Sequence, residues 1–499
     1  MTAQTILPAN TLSSGYDVAN SYMFGGDANT AITNTTPTDT KIFTISLWIK
    51  FHEFPTSGGD RIIYGYYSAD NTQAYLYLRN DFTLGFYEVD GGTSKIDFRT
   101  TQFFRDSAAW YHIVVAIDTS QGTDTNRFKL YVNGSQVSAF NANSYPDQNY
   151  ASMLNENSLA FNVGGTGFSS SKIHASICEF VFIDGSQLAP TSFGEFDSDS
   201  PTIWKPKSVS GLTFGNNGSY LEFKETGTSA NSSGAGADTS GNDRHHSVTN
   251  LAATDQRTDT CTNNFCTFTA ENHTAANFDL TEGNLQTSRN SGTSGLHGSS
   301  IMPTTGKWYF EVKIGEAGSG DRSRVGVMNY QKQLENSTYS GVINTPQQVL
   351  AGCTTSCKSG KHFEGDGAGV MEEYTASGDY ADGDIVQVAM DLDNKAIYFG
   401  RNGTFLTRTG NSGGDPTSGA SKTGAITTNT NIMDGSPMTA YTGLSVGSGT
   451  DQSTMLFNFG NPPFAISSGN NDGNGYGNFE HAPPAGYLAW CTKNLGESG

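Results

Sequence analysis

The sequence predicts an almost all-β protein. Short apolar runs with alternating polarity recur at hairpin spacing along most of the 499 residues, and such runs are typical of strands. The intervals between them are crowded with Asn, Ser, Thr and many of the 59 glycines, which favour turns over long helices. A chain of this length exceeds one ordinary β domain and can form two or three domains, each with its own core.

The first block of strands extends from about residue 16 to residue 193. In residues 41–51, four apolar side chains alternate on one face and Trp48 lies on the other, as in a half-buried strand. Further runs follow at hairpin spacing: RIIYGYY (61–67), AYLYLR (74–79), TLGFYEV (83–89), WYHIVVAIDTS (110–120), NRFKLYVNGSQV (126–137), SLAFNVGG (158–165) and ASICEFVFIDG (175–185). This number and pairing of strands predict a two-sheet sandwich.

The second block extends from about residue 297 to residue 464. Its runs are GKWYFEVKI (306–314), SRVGVMNY (323–330), GDIVQVAMDLDNKAIYFGRNG (383–403) and LFNFGNPPF (456–464). The third run predicts a hairpin that turns at Asp393-Asn394 and closes at Asn402-Gly403. We expect its apolar side chains to meet inside a sandwich, with Val386, Val388 and Met390 facing Ile397 and Phe399.

Two intervals lack this strand pattern. Residues 227–247 contain hardly any apolar side chain and predict an exposed loop, so we assign residues 196–296 as a connector rich in Gly, Ser and Asn. The C-terminal interval, residues 466–499, combines Pro483-Pro484 with four large apolar side chains, Phe479, Tyr487, Leu488 and Trp490. Because such side chains are rarely left in water together, we expect this tail to pack onto its own protein or a neighbouring subunit.

The motifs of the two blocks resemble two known folds. The elements W-Y-H-I-V-V and L-Y-V-N-G make residues 21–195 similar to the laminin-G or concanavalin A-like jelly roll. The elements G-K-W-Y-F-E-V, R-V-G-V, G-D-I-V-x-V-A-M-D-L-D, I-Y-F-x-x-N-G and N-F-G-x-P-P-F make residues 297–465 similar to the SPRY domain. The resemblance implies an all-β fold of two β-sandwich domains, a concanavalin A-like jelly roll and a SPRY-type sandwich. It also implies noncatalytic binding through SPRY loops, and sugar or protein binding on a concave face or calcium-bearing rim of the jelly roll.

The combination of domains resembles structural proteins of tailed bacteriophages, together with the phrases DTSGND (238–243), TDTCTNNFCT (258–267) and APPAGYLAWCTKNL (482–495). The resemblance implies a noncatalytic virion protein, a tail fibre or adhesin that binds a glycan or protein of the host surface. It further implies contacts with other virion proteins, assembly in the host cytoplasm, release by lysis and a homo-oligomer, with the trimer common among phage fibres. Residues 1–20 are the candidate segment for attachment to the particle, and the C-terminal tail is the alternative.

Two other functions stay open at this point. The chain could decorate a capsid or form a tail knob that contacts only virion proteins, or, as a third alternative, hydrolyse glycans. Retaining glycan hydrolases of the jelly-roll fold need paired carboxylates about 5 Å apart. The nearest pattern is E-x-D-x-D at Glu195, Asp197 and Asp199, which lies beyond the last predicted strand, so we interpret it as a surface loop.

Charge and hydropathy exclude two classes of partner. The net charge is −20 and the pI is about 4.7, without the Lys and Arg clusters that nucleic-acid phosphates require. No stretch approaches the 18 or so apolar residues of a membrane span. The polar N-terminal residues lack the basic start and apolar core of a secretory signal. We therefore expect neither nucleic-acid binding nor membrane insertion.

The candidate ligand-binding residues are tyrosines in or beside the predicted SPRY loops: Tyr330, Tyr339 and Tyr380. Exposed aromatic faces stack on sugars, although these rings could instead close the edge of the sandwich. Asp238, Asn242 and Asp243 offer oxygen atoms for a metal such as calcium, but the same residue types are those of any turn. We expect no other cofactor.

The six cysteines are too few for a disulfide scaffold of this size. Cys261 and Cys266 lie in CTNNFC, and Cys353 and Cys357 lie in CTTSC. Neither pair has zinc spacing supported by a second ligand pair. We expect isolated thiols, and whether either pair forms a disulfide stays open.

Overall fold

The chain forms two compact units with a boundary between Asn264 and Phe265. The structure, a computed structural model, describes the following residues: 15–54, 59–69, 71–166, 171–269, 279–289, 292–316, 322–331, 348–353, 360–365, 371–375, 380–446 and 453–498. Nearly all of its regular structure is strand, which confirms the predicted all-β class. None of the helices in these ranges has the length and apolar content needed to span a membrane.

The N-terminal unit is built from short antiparallel strands. Its strands in the described ranges are β1 (Ser21–Gly25), β2 (Asn29–Thr33), β3 (Ile42–Phe51), β4 (Arg61–Ala69), β5 (Thr72–Leu78), β6 (Thr83–Asp90), β7 (Thr93–Phe103), β8 (Tyr111–Asp118), β9 (Phe128–Val132), β10 (Ser135–Gln136), β11 (Phe140–Ser144), β12 (Ala160–Val163), β13 (His174–Asp184), β14 (Gly194–Phe196), β15 (Trp204–Pro206), β16 (Ser219–Leu221), β17 (Ser247–Thr249) and β18 (Gln256–Arg257). Single-turn 3-10 helices occupy Asp124–Asn126, Met153–Asn155, Pro190–Ser192 and Ala253–Asp255.

These strands form a sandwich of two eight-stranded sheets. The first sheet has the order β10-β9-β8-β3-β13-β1-β18, with β16 also paired to β13. The second sheet has the order β11-β7-β6-β5-β4-β12-β2-β17. Strands β14 and β15 form a separate hairpin. The predicted apolar face of residues 41–51 lies in the core between the sheets, where Phe43, Ile45, Leu47 and Ile49 are fully buried.

The interval predicted as a connector, residues 196–296, is instead divided between the two units. Residues 196–264 contribute strands β15 to β18, which extend or cover the N-terminal sandwich, and residues 279–297 contribute strands to the C-terminal unit. Strand β3 is therefore buried on both faces, and Trp48 packs with Trp110 and Trp204 outside the first sheet. The physical reason is that the interval is held by buried polar contacts, which a hydropathy pattern does not reveal.

One such contact is a buried ion pair. The Lys50 Nζ donates to Asp259 Oδ2 at 2.8 Å and to Asn264 Oδ1 at 2.8 Å. The Trp110 Nε1 donates to the other Asp259 oxygen at 3.3 Å. The side chains of Lys50 and Asp259 are 0% and 2% exposed. This network fastens residues 259–264 to the outer face of the first sheet.

The C-terminal unit is a second sandwich. Its strands in the described ranges are β19 (Asp279–Thr281), β20 (Gln286–Arg289), β21 (Gly292–His297), β22 (Lys307–Glu316), β23 (Arg322–Asn329), β24 (Gln348–Cys353), β25 (Gly360–Gly365), β26 (Met371–Thr375), β27 (Ile385–Asp391), β28 (Ala396–Arg401), β29 (Thr404–Phe405), β30 (Met438–Val446), β31 (Ser453–Asn458) and β32 (Leu488–Ala489). A 3-10 helix spans Pro416–Ser421, and α1 spans Thr492–Ser498. One sheet has the order β19-β20-β31-β22-β27-β28-β29, with β32 parallel to β22, and the other has the order β21-β30-β23-β24-β25-β26.

The hairpin of β27 and β28 has the predicted register. Val388 pairs with Phe399 and Met390 pairs with Ile397, and all four side chains are in the core. The tight turn that follows β28 and leads into β29 is formed by residues in the left-handed region, Asn402 at φ 48° and Gly403 at φ 88°. The period-two pattern of residues 383–403 therefore encodes core scaffold.

The tail covers the outer face of the sheet that contains β22. Phe479, Tyr487 and Trp490 are fully buried, and the first two pack with Tyr309 of β22. The buried Glu311 carboxylate accepts hydrogen bonds from the backbone N–H groups of Glu480, at 3.0 Å, and His481, at 2.7 Å. Residues 466–498 thus form a structural layer of the C-terminal unit.

Glu88 of β6 is a buried carboxylate inside the N-terminal sandwich. It accepts hydrogen bonds from Ser152 Oγ at 2.7 Å, the backbone N–H of Met153 at 2.8 Å and Tyr150 Oη at 2.8 Å. Burial raises its pKa to about 7, although these hydrogen bonds oppose the rise. The folded state therefore holds a proton that the unfolded chain releases near its ordinary pKa of about 4.5.

We expect this proton to make the contribution of Glu88 to stability depend on pH. Between pH values of about 5 and 7 the folded state binds more protons than the unfolded state, so the contribution falls by up to about 1.4 kcal/mol per pH unit as pH rises. The stability advantage of the wild type over Glu88→Gln should therefore shrink from pH 5 to pH 8, as measured by urea unfolding at each pH. A difference in unfolding free energy between wild type and Glu88→Gln that stays constant from pH 5 to pH 8 would contradict the prediction.

Candidate functional site

The second sheet of the N-terminal unit carries a row of tyrosines on its outer face. In β5, Ala74, Leu76 and Leu78 point into the core, so the alternate residues Tyr75 and Tyr77 point away from it. Cross-strand pairing extends this face, because Tyr75 is opposite Tyr87 of β6 and Gln73 is opposite Tyr67 of β4. We call these four side chains, Tyr67, Tyr75, Tyr77 and Tyr87, the tyrosine face.

Ring contacts join Tyr75 of the tyrosine face to Tyr77 and to Tyr87. The ring centroids of Tyr75 and Tyr77 are 5.2 Å apart at an interplanar angle of 82°, and those of Tyr75 and Tyr87 are 5.9 Å apart at 48°. Tyr77 is almost buried, at 4% exposed, whereas the other three side chains are half-buried. The buried ring therefore supports Tyr75, which presents part of its surface to solvent.

Two glycines in the neighbouring strands leave space for Tyr75 and Tyr77. Gly85 lies directly opposite Tyr77, and a Cβ atom at this position would lie only 2.3 Å from the Tyr77 Cζ. Gly65 lies opposite Tyr75, where a Cβ atom would lie 2.5 Å from the Tyr75 Cβ. A side chain at either position would displace a tyrosine. The Tyr77 ring can therefore lie over Gly85 and close to the sheet.

Charged side chains flank the rings. Asp97 of β7 is opposite Tyr87, and Arg99 is opposite Gly85. The Arg99 Nε lies 3.5 Å from Asp97 Oδ1, and both side chains are about one-third exposed. Burial raises the pKa of Tyr75 and Tyr77, and the negative charges of Asp60 and Asp97 raise it further. Carboxylate acceptors and a guanidinium donor therefore border an aromatic surface.

This arrangement is suited to a polar ligand that has an apolar face. A tyrosine ring packs against the C–H face of a sugar, while carboxylate and guanidinium groups bind the surrounding hydroxyls. The sequence signal for it was present in AYLYLR and TLGFYEV, where tyrosines alternate with core residues. The sequence alone does not identify the tyrosine face, because aromatic side chains in a strand are also typical of a core. Which face of the strand is open to solvent depends on the fold.

The tyrosines proposed from the sequence have different surroundings. Tyr380 is 3% exposed and packs in the core, with its ring centroid 5.4 Å from the Arg401 guanidinium carbon, so it offers no open face to a ligand. Tyr330 is half-buried, and its backbone N–H donates to the Pro437 carbonyl oxygen at 2.9 Å. Tyr339 and the segment 336–341 lie outside the described residues.

The residues proposed for a metal organise a loop. Asp238 accepts hydrogen bonds from the backbone N–H groups of Tyr220, at 2.8 Å, and Arg244, at 2.9 Å, and from Ser240. The Asn242 side-chain amide donates to two backbone carbonyl oxygens, and Asp243 has a φ of 53°. The described part of the chain contains no group of three or more His, Cys, Asp or Glu side chains placed to bind a metal. The turn interpretation accounts for the contacts of these residues.

The E-x-D-x-D pattern lies in the hairpin of β14 and β15, where we expected a loop. The Lys205 Nζ lies 3.2 Å from Asp197 Oδ2 and 3.6 Å from Glu195 Oε1. The other Asp197 oxygen accepts hydrogen bonds from the backbone N–H groups of Asp199 and Ser200, both at 2.9 Å. These carboxylates therefore stabilise the hairpin and its turn.

The buried cysteines include one pair in contact. The Cys178 and Cys261 sulfur atoms lie 3.7 Å apart, and both thiols are fully buried. Both cysteines are free thiols, and they come into contact because residues 257–264 cover the first sheet. Cys266 and Cys491 are also buried thiols, and the side chains of Cys353 and Cys357 lie outside the described residues.

Residues 24–185 match the family model described as the concanavalin A-like lectin/glucanases superfamily. No curated protein sequence matches the chain.

Several solved structures resemble parts or all of the chain. The SPRY domain of human HERC1 is 15% identical with a TM-score of 0.25, and the match covers 36% of this chain and 91% of that domain. Domains LG4-5 of the mouse laminin alpha1 chain are 12% identical with a TM-score of 0.27, covering 99% and 92%. The heptameric SAP-like pentraxin from Limulus polyphemus is 14% identical with a TM-score of 0.26, covering 35% and 80%. Because the identities and TM-scores are this low, the similarities imply no shared ligand or activity.

Proposed function

We propose that the chain is a noncatalytic adhesin of a tailed-phage virion, of the tail-fibre type, that binds a glycan of the host surface through the tyrosine face. The observation that carries this proposal is the partly exposed Tyr75 ring, supported by Tyr77 and bordered by Asp97 and Arg99. The match of residues 24–185 to a superfamily of lectins and glucanases supports a glycan-directed role.

The superfamily name covers lectins, which bind glycans, and glucanases, which cleave them. The surroundings of the described carboxylates favour binding over cleavage. Glu195 and Asp197 are paired with Lys205 in a hairpin, and Glu88 is buried under three hydrogen bonds. Beside the tyrosine face, the Asp97 carboxylate is in contact with the Arg99 guanidinium. A retaining hydrolase instead needs one carboxyl group as acid and a second as nucleophile.

The tyrosine face presents a small area, so we expect each site to bind weakly. Several copies of the chain on one particle would raise the effective concentration of sites and produce firm attachment. The net charge of −20 would keep such copies from adhering to one another.

Replacing Tyr75 by Ala should weaken glycan binding about tenfold, which is about 1.4 kcal/mol, because the stacking surface is lost. Tyr75→Phe keeps the ring and should retain most of the affinity. The measurement is titration of the purified full chain with polysaccharide extracted from candidate hosts and with neutral oligosaccharides. Tyr131→Ala, in β9 of the first sheet, is the matched control and should bind as the wild type does.

Two results would count against the proposal. Equal glycan affinities of Tyr75→Ala and Tyr131→Ala would move the binding site away from the tyrosine face. Absence of binding to every host polysaccharide, in a correctly assembled protein, would favour a virion protein that contacts only other virion proteins.

A further inference from the structure

Two thiols that are far apart in the sequence meet in the N-terminal unit. Cys178 lies in β13 and Cys261 lies 83 residues later, in the interval that covers the first sheet. Their sulfur atoms are 3.7 Å apart and both side chains are completely buried. A disulfide would require the sulfurs to approach by roughly 1.7 Å.

Contacts on both sides hold Cys261 in this position. Two residues before it, Asp259 is bound by Lys50 and Trp110. One residue after it, the Thr262 hydroxyl accepts the backbone N–H of Val18 at 3.0 Å. The thiol is therefore fixed against the strand by its neighbours in the chain.

Cys178 is equally constrained. It pairs with Trp48 in the ladder of β13 and β3, and the register shifts immediately after it, between Cys178 and Val181. Glu179 occupies this bulge with a φ of 51°, and its carboxylate accepts the hydroxyl groups of Tyr16 and Tyr220. Both partners of the thiol pair thus have fixed backbones.

We propose that Cys178 and Cys261 are a redox-modification site that forms an intramolecular disulfide when the protein meets a small-molecule disulfide such as oxidised glutathione. One cysteine thiolate attacks a sulfur of the oxidant, the oxidant's S–S bond breaks, and one glutathione thiolate leaves. The second cysteine then displaces the other glutathione as the Cys178–Cys261 bond forms. The protein loses two electrons and two protons, and the oxidant becomes two glutathione molecules.

Burial controls the rate of this reaction. Burial raises the pKa of the Cys261 thiol well above its ordinary range, so little thiolate exists while residues 257–264 cover the sheet. The reaction therefore requires opening of this segment, or oxidation during folding. Its rate should rise with pH and with low concentrations of urea. The bond then ties the segment to β13.

The test treats the full chain with oxidised glutathione, both in the native state and during refolding from urea. We expect the thiol count to fall by two from the six of the sequence, and the intact mass to fall by about 2 Da. A tryptic digest should contain residues 173–207 linked to residues 258–289. The melting temperature should rise by roughly 5 °C.

Variants separate this pair from the alternatives. Residues 258–289 also contain Cys266, so Cys266→Ser should still lose two thiols, whereas Cys178→Ser and Cys261→Ser should not. If either of the latter two fails to fold, fragmentation of the linked wild-type peptide locates the bond. A bond between Cys261 and Cys266, or unchanged thiols after both treatments of the wild type, would overturn the proposal.

Discussion

Replacing Lys50 by Met should lower the free energy of unfolding of the N-terminal unit by about 3–5 kcal/mol, because it leaves the Asp259 carboxylate buried without its cation. Met has a similar length and fills most of the space, so lost volume contributes little. Lys50 is completely buried, and its Nζ also donates to Asn264. Urea unfolding followed by tryptophan fluorescence measures the change, because Trp110 donates to Asp259 and packs in one hydrophobic cluster with Trp48.

An exposed ion pair of the same unit provides the control. The Lys224 Nζ lies 2.6 Å from Glu222 Oε1, but the Lys224 side chain is 54% exposed. Lys224→Met should therefore cost no more than about 1 kcal/mol. Adding Asp259→Leu to Lys50→Met should recover part of the loss, since no uncompensated charge remains. A Lys50→Met protein as stable as Lys224→Met would show that residues 259–264 are not held by this pair.

Replacing Glu311 by Leu should destabilise the C-terminal unit by about 3 kcal/mol and loosen its tail. The carboxylate accepts four hydrogen bonds, from the backbone N–H groups of Glu480 and His481 and from the side chains of Tyr309 and Asn458. Each donor left buried without a partner costs about 1–3 kcal/mol. Loss of the desolvation penalty, which raises the pKa of Glu311, offsets part of this cost.

Two measurements test this prediction. Urea unfolding gives the change in stability, and limited digestion with chymotrypsin reports opening of the tail, because Phe479 and Tyr487 are buried cleavage sites. Glu480→Gln is the control in the same segment. The half-buried Glu480 carboxylate accepts hydrogen bonds from Ser467, and Gln keeps an acceptor oxygen, so stability should change by less than about 1 kcal/mol. Digestion of Glu311→Leu at the wild-type rate would contradict the role assigned to this carboxylate.

The sequence predicted the parts of the fold that depend on local pattern. Residues 41–51 and 383–403 alternate with period two, and both formed strands with the predicted core side chains. The layers outside the sheets could not be predicted in this way. Asp259 and Asn264 look like loop residues until Lys50, more than 200 positions earlier, is known to lie against them.

The candidate site shows the same limit. Tyr380 was selected because it lay beside a predicted loop, yet it fills the core, whereas Tyr75 was overlooked inside a strand and faces outward. Side-chain alternation gives two faces for each strand, but only the packing of the second sheet decides which one is open. The contact of Cys178 and Cys261 likewise depends on tertiary packing, since neither cysteine lies in a paired motif with the other.

The most direct test of the account is binding of fluorescently labelled protein to candidate host cells, with unlabelled protein added to block phage adsorption. We predict saturable binding and blocking by the wild type and by Tyr131→Ala, and a loss of about tenfold in both for Tyr75→Ala. Absence of saturable binding by the correctly assembled wild-type protein, or full binding by Tyr75→Ala, would contradict the proposal that the tyrosine face attaches the protein to its host.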